Sequence, residues 1–275
     1  MAKQKISAQA SAVVTGAGSG IGRAFAQELA ARGGRVICAD INLATAEETV
    51  AMIIAQGGQA HALRCDVSQL ADVEALAEQA EAWLRSPVDL IINNAGVGAG
   101  GQVVGELPMA DWQWALGINL WGVIHGCHVF APRLRALGRG GIINVCSTAS
   151  FSAAPRMGAY NVSKAAALAL SETLSAEMAG TGIAVTALCP TFVKTNIARD
   201  GRITEGSSRM AEKIMSWIGF APERVAKTAL DALDKNQLYV LPQFDARMIW
   251  RSKRLAPALY ARGAGLINRY AGSSL

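Results

Sequence analysis

The sequence predicts an α/β protein built on a doubly wound parallel sheet. Three observations carry that prediction. Short apolar runs alternate with longer helical patterns as far as about residue 241. The apolar runs are continuous, as strands covered on both faces are, and do not alternate with polar residues. A glycine-rich turn stands between the first apolar run and the first helical pattern. Strand–helix–strand units of this kind close right-handed and put helices on both faces of the sheet. Ligands then bind beyond the carboxyl ends of the strands, near the point where the winding reverses.

Residues 12–15 read as the first strand and 20–32 as the first helix. Residues 35–39 and 43–56 form a second pair, and 59–64 and 69–85 a third. Residues 88–92 make the fourth strand, followed by a glycine-rich loop and one long helix over roughly 109–137. A strand at 141–146, a helix at 158–179 and a strand at 183–188 come next. A polar loop with helical patches leads to a helix at 222–235 and a last strand at 238–241. No linker, repeat or low-complexity segment interrupts this order. Residues 1–241 are therefore expected to form one domain, and 242–275 a basic amphipathic C-terminal extension that is not an independent domain.

Composition narrows the class. Of 275 residues, 51% are apolar and 17% charged, which suits a compact enzyme and excludes a disordered chain. No apolar run is long enough to span a membrane. The first nine residues carry lysines but no apolar stretch leading to a cleavage-like site, so no signal peptide is read. Cys38, Cys65, Cys127, Cys146 and Cys189 are odd in number and contain no CxxC pair. They read as buried free thiols of a cytoplasmic protein. Three histidines without ligand spacing predict no metal site. The net charge of +5 is local: residues 241–275 hold six basic residues and one acid, and the rest of the chain is balanced. A nucleic-acid binder with a broad basic face is excluded on that count.

The glycine-rich turn reads Thr15-Gly16-Ala17-Gly18-Ser19-Gly20-Ile21-Gly22. Glycines let backbone approach a pyrophosphate, and a helix starting there aims its N–H groups at the anion. The strict GxGxxG pattern fails, because Ile21 stands where the third glycine belongs; TGxxxGIG fits throughout. The second strand ends at Asp40, whose carboxylate can accept hydrogen bonds from adenosine ribose hydroxyls and would repel a 2′-phosphate. Ser19 and Ile41 offer that phosphate no cation. NAD is expected rather than NADP.

These residues resemble the short-chain dehydrogenase/reductase family over about residues 8–240. The resemblance implies a Rossmann fold with a seven-stranded sheet. It implies that Asp66 and Val67, after the third strand, meet the adenine. It places Asn93, Ala95 and Gly96 of Asn93-Asn94-Ala95-Gly96 along the cofactor. After the sixth strand it gives Pro190, Val193 and Thr195 to the carboxamide end. One departure occurs there: Thr191 stands where the family usually has glycine, so a side chain is expected to project toward the pocket.

Tyr160 and Lys164 form Tyr-x-x-x-Lys, which puts them one turn apart on one helix face. A phenol titrates at about 10, too high for a base at neutral pH, and a nearby ammonium lowers that value. The pair alone is a common coincidence. Ser147, thirteen residues earlier at a strand end, can hydrogen-bond the substrate oxygen. By resemblance, Asn119 completes a tetrad with Ser147, Tyr160 and Lys164 by positioning a water in a proton relay through Lys164. The resemblance also implies that Lys164 contacts the nicotinamide ribose, so Tyr160 and Lys164 are expected at the cofactor site as well. Tyr160 is expected to take the hydroxyl proton in oxidation and return it in reduction.

Substrate choice is expected from Ser147, Ala149, Phe151, Met157, Thr191, Phe192 and Ile197, with Ile203, Met210 and Trp217 adding to an apolar lining. A mainly apolar secondary alcohol or ketone fits. Arg156 and Arg199 are read as solvated. Family members assemble as dimers or tetramers through two long helices, here about 109–137 and 158–179. In the tail, Leu259, Leu266 and Tyr270 share a helical face, Ile267 lies among the same apolar residues, and Pro257 divides the pattern. A cover for the pocket or an oligomer contact is the favoured role; contact with an anionic membrane and a disordered end stay open. Two other functions stay open: a sensor or scaffold that binds NAD without turnover, and an NAD-using epimerase or dehydratase. The complete tetrad speaks against the first. The short C-terminal part and the TGxxxGIG form speak against the second.

Overall fold

The computed structural model describes residues 5–271. Among them the elements run, in order, β1 Ser11–Thr15, α1 Gly20–Ala31, β2 Arg35–Asp40, α2 Leu43–Ala55, β3 Gln59–Arg64, α3 Leu70–Leu84, β4 Leu90–Asn93 and β5 Ala99–Gly100. Next come α4 Met109–Leu116, a π-helical turn Gly117–Trp121, α5 Gly122–Leu137, β6 Gly140–Val145, α6 Ala149–Ser152, α7 Gly158–Glu177 and β7 Ile183–Leu188. The chain continues with β8 Arg202–Ile203, α8 Glu205–Ile218, α9 Pro222–Leu233, β9 Tyr239–Val240, α10 Phe244–Leu255 and α11 Pro257–Ala271.

Seven strands form one sheet in the order β3-β2-β1-β4-β6-β7-β9, and every pairing is parallel. The winding reverses between β1 and β4, so the crevice for a ligand opens at their carboxyl ends. The continuous apolar runs have their cause here. Val13, Val14, Ile91, Ile92, Ile142 and Ile143 are fully buried, and each stabilises the fold by about 1.5–3 kcal/mol relative to exposure. One core lies under α1 and α9, with Phe25, Leu29 and Leu230. The other lies under α3, α5 and α7, with Leu76, Phe130 and Leu174. β3 is an edge strand and only partly buried; Trp83 stacks flat on its His61, centroids 5.5 Å apart. All five cysteines are free and buried.

Three features differ from the sequence reading. The long helix is interrupted by the π turn, where the Gly122 amide donates to the Gly117 carbonyl five residues back. β5 and β8 pair in a small second sheet, too short for any periodicity to reveal. A short helix, α6, follows β6, and the polar loop contains a full helix, α8. The tail is two helices, with Pro257 as the first residue of the second, where a proline costs no hydrogen bond. The first four residues, the last four, and the side chains of Ile267, Asn268, Tyr270 and Ala271 lie outside what is described. Among the described residues no helix is long and apolar enough to cross a membrane, and no cluster of three His, Cys, Asp or Glu is placed to hold a metal.

Candidate active site

The glycine turn follows from local sterics. Gly16 and Gly20 have φ of +63° and +53°, a region that L side chains avoid. A Cβ on Gly22 would stand 2.0 Å from the Gly16 carbonyl oxygen, so α1 packs directly on the strand end. Ser19 caps α1 in an extended conformation and its exposed side chain makes no capping bond. The first-turn amides of α1 are left for an anion. Ile21 is half-buried against the core. The Ala17 amide donates to the Ala39 carbonyl (3.1 Å), and the Gly18 amide donates to Asp40 Oδ2 (2.9 Å). Asp40 thus sits at the turn, with Ile41 exposed beside it. Arg23 is nearby: it donates to the Gly18 carbonyl and to Thr49, and pairs with Glu48 at 3.0 Å. An open cleft of about 250 Å³ runs between the start of α1 and the loop after β7, with Gly20, Arg23, Lys194 and Thr195 on its walls.

Asp66 accepts from the Ser68 amide and hydroxyl at 3.0 and 2.7 Å, and Val67 is buried against Gly122. After β4 the two asparagines part. Asn93 turns away from the glycine turn and donates to Asn144 Oδ1 (2.8 Å) inside the core. Its side chain is spent inside the core and does not reach the glycine turn. The reason is the strand's alternation of faces. Asn94, absent from the expected site, is the one that serves the turn. Its Nδ2 donates to the carbonyls of Thr15 (2.8 Å) and Gly16 (3.1 Å), and its amide donates to Thr15 Oγ1 (3.0 Å). The half-buried Ala95 adds its amide to the same hydroxyl (3.1 Å). These groups fit a dinucleotide: amides for the pyrophosphate, a carboxylate at the end of β2 for the ribose, and close approach secured by glycines whose Cβ would clash.

The tetrad gathers where β4, β6 and α7 meet. Ser147, buried just past β6, accepts from the Ala149 amide (3.1 Å) and donates to the Pro190 carbonyl (3.5 Å). α7 presents Tyr160, half-buried, and Lys164, buried, on one face. Lys164 Nζ donates to the Val145 carbonyl (2.8 Å) and lies 5.9 Å from the centre of the Tyr160 ring. Burial pushes the Tyr160 phenol above its ordinary value, and Ser147 opposes that. Burial also pushes the Lys164 ammonium down. Burial thus drives both groups toward their neutral forms.

Asn119 is fully buried in the π turn. Its Oδ1 accepts from the Val97 amide (2.8 Å) and its Nδ2 donates to the Val97 carbonyl (2.9 Å). Both ends of the carboxamide are therefore engaged in holding the loop after β4. A Cβ on the exposed Gly96 would stand 3.1 Å from Asn119 Oδ1 and 3.4 Å from Lys164 Nζ, so Gly96 joins the two residues.

On the substrate side, Ala149 is buried on α6, and Phe151, Met157, Phe192 and Ile197 are half-buried. Thr191 corrects the expectation that its side chain projects into the pocket. Its Oγ1 donates to Asp245 Oδ1 (3.1 Å) and its amide donates to Gln243 Oε1 (3.2 Å). Gln243 Nε2 also donates to the Phe192 carbonyl (3.0 Å). The tail therefore anchors this loop, and α10 packs on α6 as well. Nothing local in the sequence announces partners fifty residues apart. Pro190 offers its carbonyl to Thr148 (2.9 Å). Val193 is buried and bridges to Phe220, and Thr195 abuts Gly20. Met210 and Trp217 are 53% and 82% exposed on α8. Arg199 is exposed and paired with Asp200 at 3.0 Å.

Comparison with known proteins points the same way. Residues 10–206 match the family model for short chain dehydrogenase. The oxidoreductase EphD of Mycobacterium tuberculosis is 36% identical over 234 residues, 82% of this chain and 39% of EphD. The chain thus spans well under half the length of that relative. A crystal structure of a short chain dehydrogenase/reductase from Burkholderia phymatum, in complex with NAD, superposes with a TM-score of 0.87 at 33% identity. The match covers 94% of this chain and 96% of that one. A gluconate 5-dehydrogenase described as NAD(P)-dependent, from Beutenbergia cavernae and with bound NADP, gives 0.75 at 30% identity over 86% and 97% of the two chains.

Proposed function

The chain belongs to the short-chain dehydrogenase family, and we propose that it is an NAD-dependent oxidoreductase moving hydride between the nicotinamide and a mainly apolar secondary alcohol or ketone. The observation that carries this reading is the meeting of Ser147, Tyr160 and Lys164 at the carboxyl end of β6, beside the crevice that holds the glycine turn.

A bound nicotinamide supplies the hydride acceptor, or in reduction the donor. The protein's residues handle the proton and the charge. Ser147 Oγ holds the substrate oxygen by a hydrogen bond. Tyr160 Oη takes the hydroxyl proton in oxidation and returns it in reduction. Lys164 Nζ, held by the Val145 carbonyl, keeps positive charge near the phenol and would hold the ribose of a bound cofactor. Asn119 holds the loop after β4 in place beside Lys164. Asp40, at the end of β2, selects NAD: its carboxylate accepts from the ribose hydroxyls and repels a 2′-phosphate. The solved relatives include one with NAD and one with NADP, so Asp40 carries this choice. Gly16, Gly18, Ser19, Gly20, Ile21, Gly22, Asp66, Val67, Ala95, Gly96, Pro190, Val193 and Thr195 complete the cofactor's surroundings. Phe151, Met157, Phe192 and Ile197 support an apolar substrate.

Residues 242–275 belong to this domain as an appendage, as the bonds from Gln243 and Asp245 to Thr191 and Phe192 support. The reading includes a dimer or tetramer through α4–α5 and α7, where Trp121 and Val162 are exposed, and a cytoplasmic location suited to five free thiols. The test is a panel of alcohols and ketones with NAD(H) and NADP(H), followed at 340 nm, with Tyr160→Phe beside the native enzyme. Turnover with NAD that Tyr160→Phe abolishes, while NADH binding survives, is expected. Substantial activity left in Tyr160→Phe refutes the acid/base role. Tight NAD binding without turnover on the whole panel favours a sensor.

A further inference from the structure

The catalytic reading leaves one surface unused, on the two C-terminal helices. α10 exposes Phe244, Met248 and Leu255 to solvent. Arg247 and Arg251 are exposed at helical steps between them, on the same face. The opposite face of α10 docks on the body of the protein. Ala246 is fully buried, and Trp250 packs on Tyr239 with ring centroids 5.8 Å apart. α11 repeats the pattern, with exposed Leu259 and Leu266 alternating with exposed Arg262 and Arg269 at steps of three and four.

Charge decides what covers this surface. Asp245 is the one acid on the described residues of these helices, and it is spent as the acceptor for Thr191. A second copy docking face to face across a two-fold axis would bring guanidinium against guanidinium with no carboxylate to receive them. An anionic bilayer surface satisfies both halves of the pattern. Apolar tips enter the acyl boundary while the guanidinium groups stay at the phosphates. We propose that α10 and α11 form a docking face for an anionic lipid surface, on which the protein rests reversibly. The surface stands or falls separately from the reaction proposed above, since it uses none of the catalytic residues.

The test is cosedimentation of the full chain with vesicles. Phosphatidylcholine vesicles are compared with vesicles containing phosphatidylglycerol, at low and high salt. At least tenfold stronger partition to the anionic vesicles is expected, falling as salt screens the charge. Combining Arg251→Gln, Arg262→Gln and Arg269→Gln should lower that partition at least tenfold. Leu259→Ser with Leu266→Ser should lower it as well, with an unchanged circular dichroism spectrum because all five side chains are exposed. Removing two exposed cations from the far end of the sheet, with Arg135→Gln and Arg139→Gln, should leave binding within twofold of native. Absence of binding, or equal binding to both vesicles, overturns the proposal. An equal loss in the Arg135/Arg139 variant also overturns it, because the attraction is then non-specific. A halved mass by light scattering in the Leu259/Leu266 variant overturns it in favour of an interface between copies.

Discussion

Lys164→Met tests the electrostatic part of the site most directly. The ammonium lies 5.9 Å from the centre of the Tyr160 ring. At an effective dielectric of about 20, a unit charge at that distance favours the phenolate by about 3 kcal/mol, or about two pKa units. Burial acts the other way on the phenol, raising it, and also lowers the ammonium. The sign then follows. Oxidation needs the phenolate, so kcat rises with pH until the phenol has ionised. Removing the cation moves that limb toward higher pH. The assay is kcat for oxidation of an alcohol from the panel, against pH, with alcohol and NAD both saturating. Saturation removes any loss of cofactor affinity from the comparison. The limb should shift up by about two pH units, with kcat about a hundredfold lower at pH values below both limbs. At alkaline pH, where a native Lys164 with a lowered pKa is itself neutral, the two profiles should converge. A limb at an unchanged pH, with kcat lowered uniformly, would refute the reasoning and leave Lys164 only a holding role.

Other substitutions test the remaining parts. Asp40→Ser removes the carboxylate and leaves Arg23 as a cation at the turn; the NADP-to-NAD ratio of kcat/KM should rise at least tenfold, and an unchanged ratio sinks the selectivity argument. Gly22→Ala places a Cβ 2.0 Å from a backbone oxygen; NADH binding, read by fluorescence titration, should be lost, and native affinity would show that the strand–helix junction gives way more easily than its packing implies. Gln243→Ala frees the Thr191 amide and the Phe192 carbonyl. The KM for the alcohol should rise several-fold while that for NAD holds, and Gln243→Glu, which keeps the acceptor, should recover part of the loss. A parallel rise in both KM values would assign Gln243 to general folding.

The fold was legible because burial on both faces leaves a strong mark on a strand. Val13, Val14, Ile91, Ile92, Ile142 and Ile143 are fully buried on both faces of the sheet, so their runs are continuous. The small sheet of β5 and β8 had no such mark. Two residues per strand carry no period, and its pairing joins positions about a hundred residues apart. The π turn was hidden for a different reason. Its residues keep helical dihedrals, and only the longer hydrogen bond from Gly122 to Gly117 separates it from α-helix. That turn holds Asn119, so the motif located the residue while the distortion around it stayed invisible.

At the site, the legible residues were those whose partners are close in sequence or belong to a turn. Tyr160 and Lys164 lie one helical turn apart, and Gly16 to Gly22 form one junction. The two adjacent asparagines show the limit. Asn93 and Asn94 read alike as letters, yet one packs in the core against Asn144 and the other clasps the Gly16 turn. The choice rests on which face of the strand each occupies. Thr191 shows it more sharply. In place of a glycine it adds a hydroxyl that must find a partner as the loop folds, and Asp245, fifty-four residues on, is that partner. Gln243 then fixes the neighbouring backbone on both sides. The departure from the family pattern and the extra helices are thus two halves of one arrangement. A truncation before Gln243 would leave Thr191 with an unpaired amide and hydroxyl at the substrate end, which is why removing the tail should harm substrate binding before it harms the glycine turn, some distance away at the other end of the crevice.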